Sequence, residues 1–80
     1  MAFFVLGERY VADVEFAGHR LRLFSEVVET GPVALVYDLK RKQTILRDFA
    51  DDLEQGKRKC ESCLEALLGK VPSIMWNHQP

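Results

Sequence analysis

The stretch from Arg9 to Val28, RYVADVEFAGHRLRLFSEVV, decides the fold. Apolar and polar side chains alternate along both of its halves, the two-residue period of strands with one buried face. Between the halves stands Gly18-His19, and glycine in the first loop position suits a type II′ hairpin turn. That loop predicts the pairs Phe16–Leu21, Val14–Leu23, Ala12–Ser25 and Tyr10–Val27 on a nearly all-apolar face. On the other face it sets Glu15 opposite Arg22 and Asp13 opposite Phe24. A slip of one residue would mix the two faces, which disfavours it.

The pattern continues on both sides. In VETGPV, Val28–Val33, a three-residue loop of Glu29, Thr30 and Gly31 places Gly31 at the left-handed position of a G1-bulge hairpin. Val33, Leu35, Tyr37 and Leu39 then join the apolar face, and Pro32 sits at a strand start where a missing donor is tolerated. A two-residue loop would turn Asp38 inward, so three residues are preferred. After the polar turn KRKQ, a short strand is expected over 44–47 with Leu46 inward. Upstream, FFVL reads as a further strand within 2–6, bent at Gly7. The expected strands are 2–6, 9–17, 20–28, 33–39 and 44–47.

Beyond Arg47 the period changes. Asp48 is a good N-cap residue, with Asp51 three positions on. Asp51, Asp52 and Glu54 carry negative charge near the positive end of the helix dipole. Gly69 suits a C-terminal cap and Pro72 stops resumption. The predicted helix spans 49–68, with Phe49, Leu53, Gly56, Cys60, Leu64 and Leu67 along one stripe. Gly56 costs about 1 kcal/mol relative to Ala inside a helix. It either lets the helix approach the sheet or breaks it in two. In the tail 70–80, Ile74, Met75 and Trp76 are too apolar to hang in water; they are expected to dock on the domain's own core or on a partner. The fold expectation is α+β in a single domain, 1–80: an antiparallel meander of about four strands with one long C-terminal helix packed across one face.

The composition fits a small globular domain. The 80 residues are 48% hydrophobic and 29% charged, with a net charge of −1. This is too apolar for disorder and too balanced for a global field that attracts nucleic acid or anionic membrane. Two cysteines are too few for a disulfide scaffold. No stretch approaches the roughly 18 apolar residues of a membrane span, and the first residues lack the charged start and apolar length of a signal peptide. A reduced, cytoplasmic setting is expected.

Cys60-x-x-Cys63 is the one motif-like signal. Cys60 falls on the inward stripe and Cys63 on its flank, which reads as core packing. Redox cysteines gain their low pKa at helix N-termini, and this pair lies about three turns in. Zinc would need four ligands, and Cys60, Cys63, His78 and His19 could supply them only if the tail and the first hairpin tip met. No Gly-x-Ser-x-Gly or phosphate-cradling loop is present. The chain therefore reads as non-enzymatic and without a cofactor.

The sheet face opposite the helix is the expected interaction surface. The registers above place on it Val11, Asp13, Glu15, Arg22, Phe24, Glu26, Val28, Ala34, Val36 and Asp38, with Ile45 extending its apolar part. Arg22 lies among Asp13, Glu15 and Asp38, so charge pairing outweighs metal binding there. An apolar cluster around Phe24 and Val36 suits a protein partner or a homodimer. The alternative is nucleic acid bound by Arg20, Lys40, Arg41 and Lys42, with help from Lys57-Arg58-Lys59. The expected function is a small regulator or inhibitor docking on a larger protein complex. Accessory proteins of mobile elements and phages share this size, an analogy of size alone.

Overall fold

The computed structural model describes residues 7–79. The strand expected at 2–6 lies outside the described residues. Five strands and one helix follow in order: β1 Arg9–Phe16, β2 His19–Val28, β3 Gly31–Asp38, β4 Gln43–Phe49, α1 Leu53–Leu68 and β5 Asn77–Gln79. They form one antiparallel sheet in the order β4-β3-β2-β1-β5, with α1 across one face. The α+β meander stands, with a fifth strand from the tail and a helix of 16 residues, shorter than expected.

The first hairpin differs from its expected pairing by two residues. Ala12 pairs with Leu23, Val14 with Leu21 and Phe16 with His19. The turn is Ala17-Gly18, both at positive φ (51° and 81°), the type I′ conformation. A two-residue shift keeps every side chain on its face, so the apolar pattern is blind to it. Charge decides it. The observed register sets Arg9 opposite Glu26, Asp13 opposite Arg22 and Glu15 opposite Arg20, where the expected one offered only Glu15 opposite Arg22.

The second hairpin turns over a whole strand. Its loop is Glu29-Thr30, with Val28 paired to Gly31. Ala34, Val36 and Asp38 therefore face the helix, and Val33, Leu35 and Tyr37 face the other way. Close approach of the helix explains this. A Cβ on Gly56 would collide with Ser25 Oγ and lie 3.1 Å from Ser25 Cβ. Ser25 and its pair Ala34 are both fully buried beneath that point. Only small side chains fit there, and a larger β3 set would overfill the layer. The inward Asp38 is satisfied by its own turn: Oδ1 accepts from Lys40 N–H (3.0 Å) and Arg41 N–H (2.9 Å), and Oδ2 from Arg41 Nη1 (3.0 Å).

The core comprises Ala12, Val14, Leu21, Leu23, Ala34, Val36, Cys60 and Leu64. Burying each large aliphatic side chain is worth roughly 1.5–3 kcal/mol. Ile45, expected on the opposite face, packs against this core at the β3–β4 register shift. The helix starts later than expected because β4 continues through Phe49, which is 63% exposed. Asp52, not Asp48, is the N-cap: its Oδ1 accepts from Gln55 N–H (2.8 Å), and Gln55 Oε1 accepts from Asp51 N–H (2.7 Å). Asp48 instead pairs with Lys59 at 2.9 Å. Gly69 caps the C-terminus at φ 83°, as expected. The helix runs unbroken through Gly56, and Leu67 is exposed.

Ile74 and Trp76 pack on the domain's own core, while Met75 is 80% exposed. That alternation leads into β5, which pairs with β1 through Arg9–Gln79, Tyr10–His78 and Val11–Asn77. The Tyr10 ring lies 4.9 Å from the His78 ring, and Lys57 Nζ sits 3.6 Å from the Tyr10 centroid, tying sheet, tail and helix together. Among the described residues, no helix is long and apolar enough to cross a membrane.

Candidate functional site: the sheet face away from the helix

The pairing lays out this face as a grid. One row across the strands reads Gln79, Arg9, Glu26, Val33, Phe49. The next reads Asn77, Val11, Phe24, Leu35, Arg47, and a third reads Asp13, Arg22, Tyr37, Thr44. Phe24 stands at the centre. Val11 and Leu35 flank it in its row, all three half-buried, while in the neighbouring row Glu26 and Val33 are buried and Arg9 is half-buried. Among the described residues, the only helix lies on the opposite face.

Each charge pair has a measurable geometry. Arg22 Nε donates to Asp13 Oδ1 at 2.7 Å, and Arg20 Nε lies 3.5 Å from Glu15 Oε2. Arg9 is placed differently. Its guanidinium lies 5.5 Å from the Phe24 ring centroid, its Nη1 only comes within 3.8 Å of Glu26 Oε2, and its Nε is buried without a hydrogen-bond partner. Desolvation pushes the Glu26 carboxyl above its ordinary value, against the opposing pull of Arg9. Glu26 is itself buried, 8% exposed, which is the source of that desolvation. A cleft of about 210 Å³ beside it is lined by Val28, Val33 and Leu35, with Thr30, Thr44 and Arg47 at its sides. Pockets for small molecules run to roughly 300–1,000 Å³, so this one suits a protruding side chain.

Of the residues expected on this face, Val11, Asp13, Glu15, Arg22 and Phe24 are there, with Glu26 and Val28. Val36 and Asp38 are not. They are 0% and 2% exposed beneath the helix, because the two-residue loop inverted β3. Ala34 follows them inward. In exchange the face gains Val33, Leu35 and Tyr37, which alternation had placed inside. Arg9 was also missed; the charge pairing of the hairpin is the signal that would have found it.

The basic turn is largely engaged with the protein itself. Arg20 pairs with Glu15, Arg41 with Asp38, and Lys40 Nζ donates to Gly18 O at 3.0 Å. Lys42 is exposed, with φ 54°. On the helix, Lys57 pairs with Glu54 and Lys59 with Asp48. Pairing of this kind removes much of the charge that a phosphate backbone would meet.

The two cysteines sit as the stripe implied. Cys60 is fully buried and its Sγ contacts the carbonyl oxygens of Phe24 (3.4 Å) and Leu35 (3.5 Å). Desolvation pushes its thiol up to about 11, and burial raises Cys63 as well. Both shifts oppose thiolate formation. His78 lies against Tyr10 and 3.3 Å from Glu8, while His19 ends the first hairpin. Among the described residues, no three His, Cys, Asp or Glu side chains are grouped to hold a metal. His19, Asp38 and Arg41 do share a concavity near the end of α1, but both Asp38 carboxylate oxygens are taken by the turn.

No protein-family model matches the chain, no curated protein matches its sequence, and no solved structure matches it.

Proposed function

We propose that this chain is a non-enzymatic protein-binding module that docks through the sheet face centred on Phe24. The observation that carries this reading is the row Val11–Phe24–Leu35 framed by charge pairs at Arg9–Glu26 and Asp13–Arg22. An aromatic anchor inside a charged, hydrogen-bonding rim is the usual energetic layout of a protein interface. The opposite face is already used by the helix. A module of 9.2 kDa acts by occupying its partner's surface, as a regulator or inhibitor does.

Replacing Phe24 with Asp tests this. Partner capture is expected to be lost while far-UV helix signal is unchanged, since Phe24 lies on the face away from α1. Phe24→Ala, which adds no charge, is expected to weaken capture less. Capture that survives Phe24→Asp contradicts the reading.

A further inference from the structure

We infer that residues 1–6, MAFFVL, which lie outside the described residues, dock on their own chain over the corner of the outer sheet face formed by Glu26, Val28 and Val33. The argument starts from burial that no described element accounts for. Val28 and Val33 are 7% and 8% exposed, and Glu26 is 8% exposed. Neither valine belongs to the core packed beneath α1. Both line the cleft on the opposite face, beside Glu26. Burial also runs in an unexpected direction along the strands. On β2, Phe24 is half-buried, while Glu26 and Val28, nearer the strand end, are buried. On β3, Leu35 is half-buried and Val33, nearer the strand start, is buried. The end of a strand on an open face has fewer neighbours than its centre and should be the more exposed. Arg9 accounts for only part of this cover. Its guanidinium reaches Glu26 at 3.8 Å and lies 5.5 Å from the Phe24 centroid, so it leans toward the Phe24 row and away from Val28.

The chain before β1 is placed to supply the cover. Arg9 pairs with Glu26 in an antiparallel ladder, so Gly7, two residues upstream, comes level with Val28. Gly7 has φ 82°, a left-handed conformation that bends the chain out of the line of β1. The inner side of this corner is taken by α1, where Gly56 sits against Ser25 and Val33 O. The far edge of β1 is taken by β5. The outer side is left. Six extended residues span roughly 20 Å, and crossing from β1 over β2 to β3 takes about 10 Å. All six residues are apolar, which matches Val28 and Val33 with Leu35 at their border. Phe3 and Phe4 each carry roughly 150–250 Å² of surface whose removal from water is favourable. This goes beyond the docking reading and stands apart from it: Val11, Phe24, Leu35 and Arg22 remain half-open for a partner.

Two measurements test it, the first on the unaltered chain. Nuclear Overhauser cross-peaks are expected from the ring protons of Phe3 or Phe4 to the methyls of Val28 and Val33. Cross-peaks to Leu67 or Val71 instead, or none to Val28 and Val33, overturn the inference. In a mixture of labelled and unlabelled chains, filtered spectra are expected to show no such contact between chains. Contacts between chains would make the occupant a second copy's segment and overturn docking on the same chain. The second measurement is thiol alkylation of Val28→Cys, mapped by mass spectrometry. Position 28 is expected to label slowly in the otherwise unaltered chain. Adding Phe3→Asp and Phe4→Asp, which makes the segment costly to bury, is expected to speed labelling on the order of tenfold or more. Circular dichroism establishes that both variants are folded. Labelling that stays slow in the folded triple variant assigns the cover to Arg9 and Thr30 and overturns the inference. Should the triple variant not fold, the cross-peaks of the unaltered chain decide. Neither result bears on partner capture through Phe24, which Phe24→Asp tests separately.

Discussion

Gly56→Ala is the substitution whose expected sign most depends on the packing. By helix propensity alone it gains about 1 kcal/mol. In this fold the new methyl would collide with Ser25 Oγ and lie 3.1 Å from Ser25 Cβ and 3.5 Å from Val33 O. Ser25 is fully buried, and its hydroxyl donates to Leu53 O at 2.6 Å. Turning Ser25 away breaks that bond and leaves a buried hydroxyl without a partner, at a cost of about 1–3 kcal/mol. Lifting the helix instead loosens the packing of Cys60 and Leu64, a strain of about 1–3 kcal/mol. Set against the propensity gain, the net expectation is a loss of about 1 kcal/mol, at most about 2 kcal/mol. That is a large share of the few kcal/mol a domain this small holds. Urea denaturation followed by circular dichroism and Trp76 fluorescence reads it directly. In a Ser25→Gly background the obstructing side chain is gone, and Gly56→Ala is expected to become stabilising. The cycle would then show a coupling of about 2 kcal/mol between the two sites. Stabilisation by Gly56→Ala in both backgrounds would refute the close-approach account of β3.

Two pH dependences follow from the buried groups. The Arg41 backbone N–H, aided by its guanidinium and by Lys40 N–H, holds the Asp38 carboxyl below its ordinary value against the opposing effect of burial. Its contribution is full above the unfolded-state value of about 3.9 and is lost as pH falls through the lower folded value. Asp38→Asn is expected to flatten the acid limb of the urea midpoint; Lys59 holds Asp48 low as well, and that pair supplies the residual slope. Cys60 has the opposite sign. Its folded value of about 11 lies above the ordinary 9.0, so stability is constant below the unfolded value and falls as pH rises from there toward the folded one. Cys60→Ala is expected to reduce that alkaline slope. In native protein near neutral pH, alkylation is expected to label Cys63 before Cys60, and equal labelling would contradict the burial of Cys60.

The sequence made some elements legible and hid others for definite reasons. The β1 and β2 faces could be read because alternation with period two reports burial. Their register could not, because a shift by two leaves the alternation unchanged; the crossed charges at Asp13–Arg22 and Glu15–Arg20 carry that information. β3 misled because counting apolar residues favours Val33, Leu35 and Tyr37 inside. The helix sits too close for them, and Ser25, Ala34 and Gly56 together mark that closeness. Asp38 inward looked prohibitive only while its turn was unknown. The helix start was misread because Asp48 and Asp52 are both acceptable caps; the Gln55 that completes the second was the distinguishing residue. β5 has three exposed polar residues and no alternation, so its pairing with β1 becomes visible only in three dimensions. At the site, Phe24 was legible as the centre. Leu35 and Tyr37 were exchanged for Val36 and Asp38 by the loop of two residues.

The central claim is that partner docking, proposed above, uses the Phe24 face and no other. Methyl resonances recorded as a captured partner is titrated in test it most directly. The account predicts shifts at Val11 and Leu35, with Leu21, Leu23 and Leu64 beneath the helix unmoved. Shifts concentrated at Leu67, Val71 and Met75 on the other side, with Val11 and Leu35 silent, would contradict it.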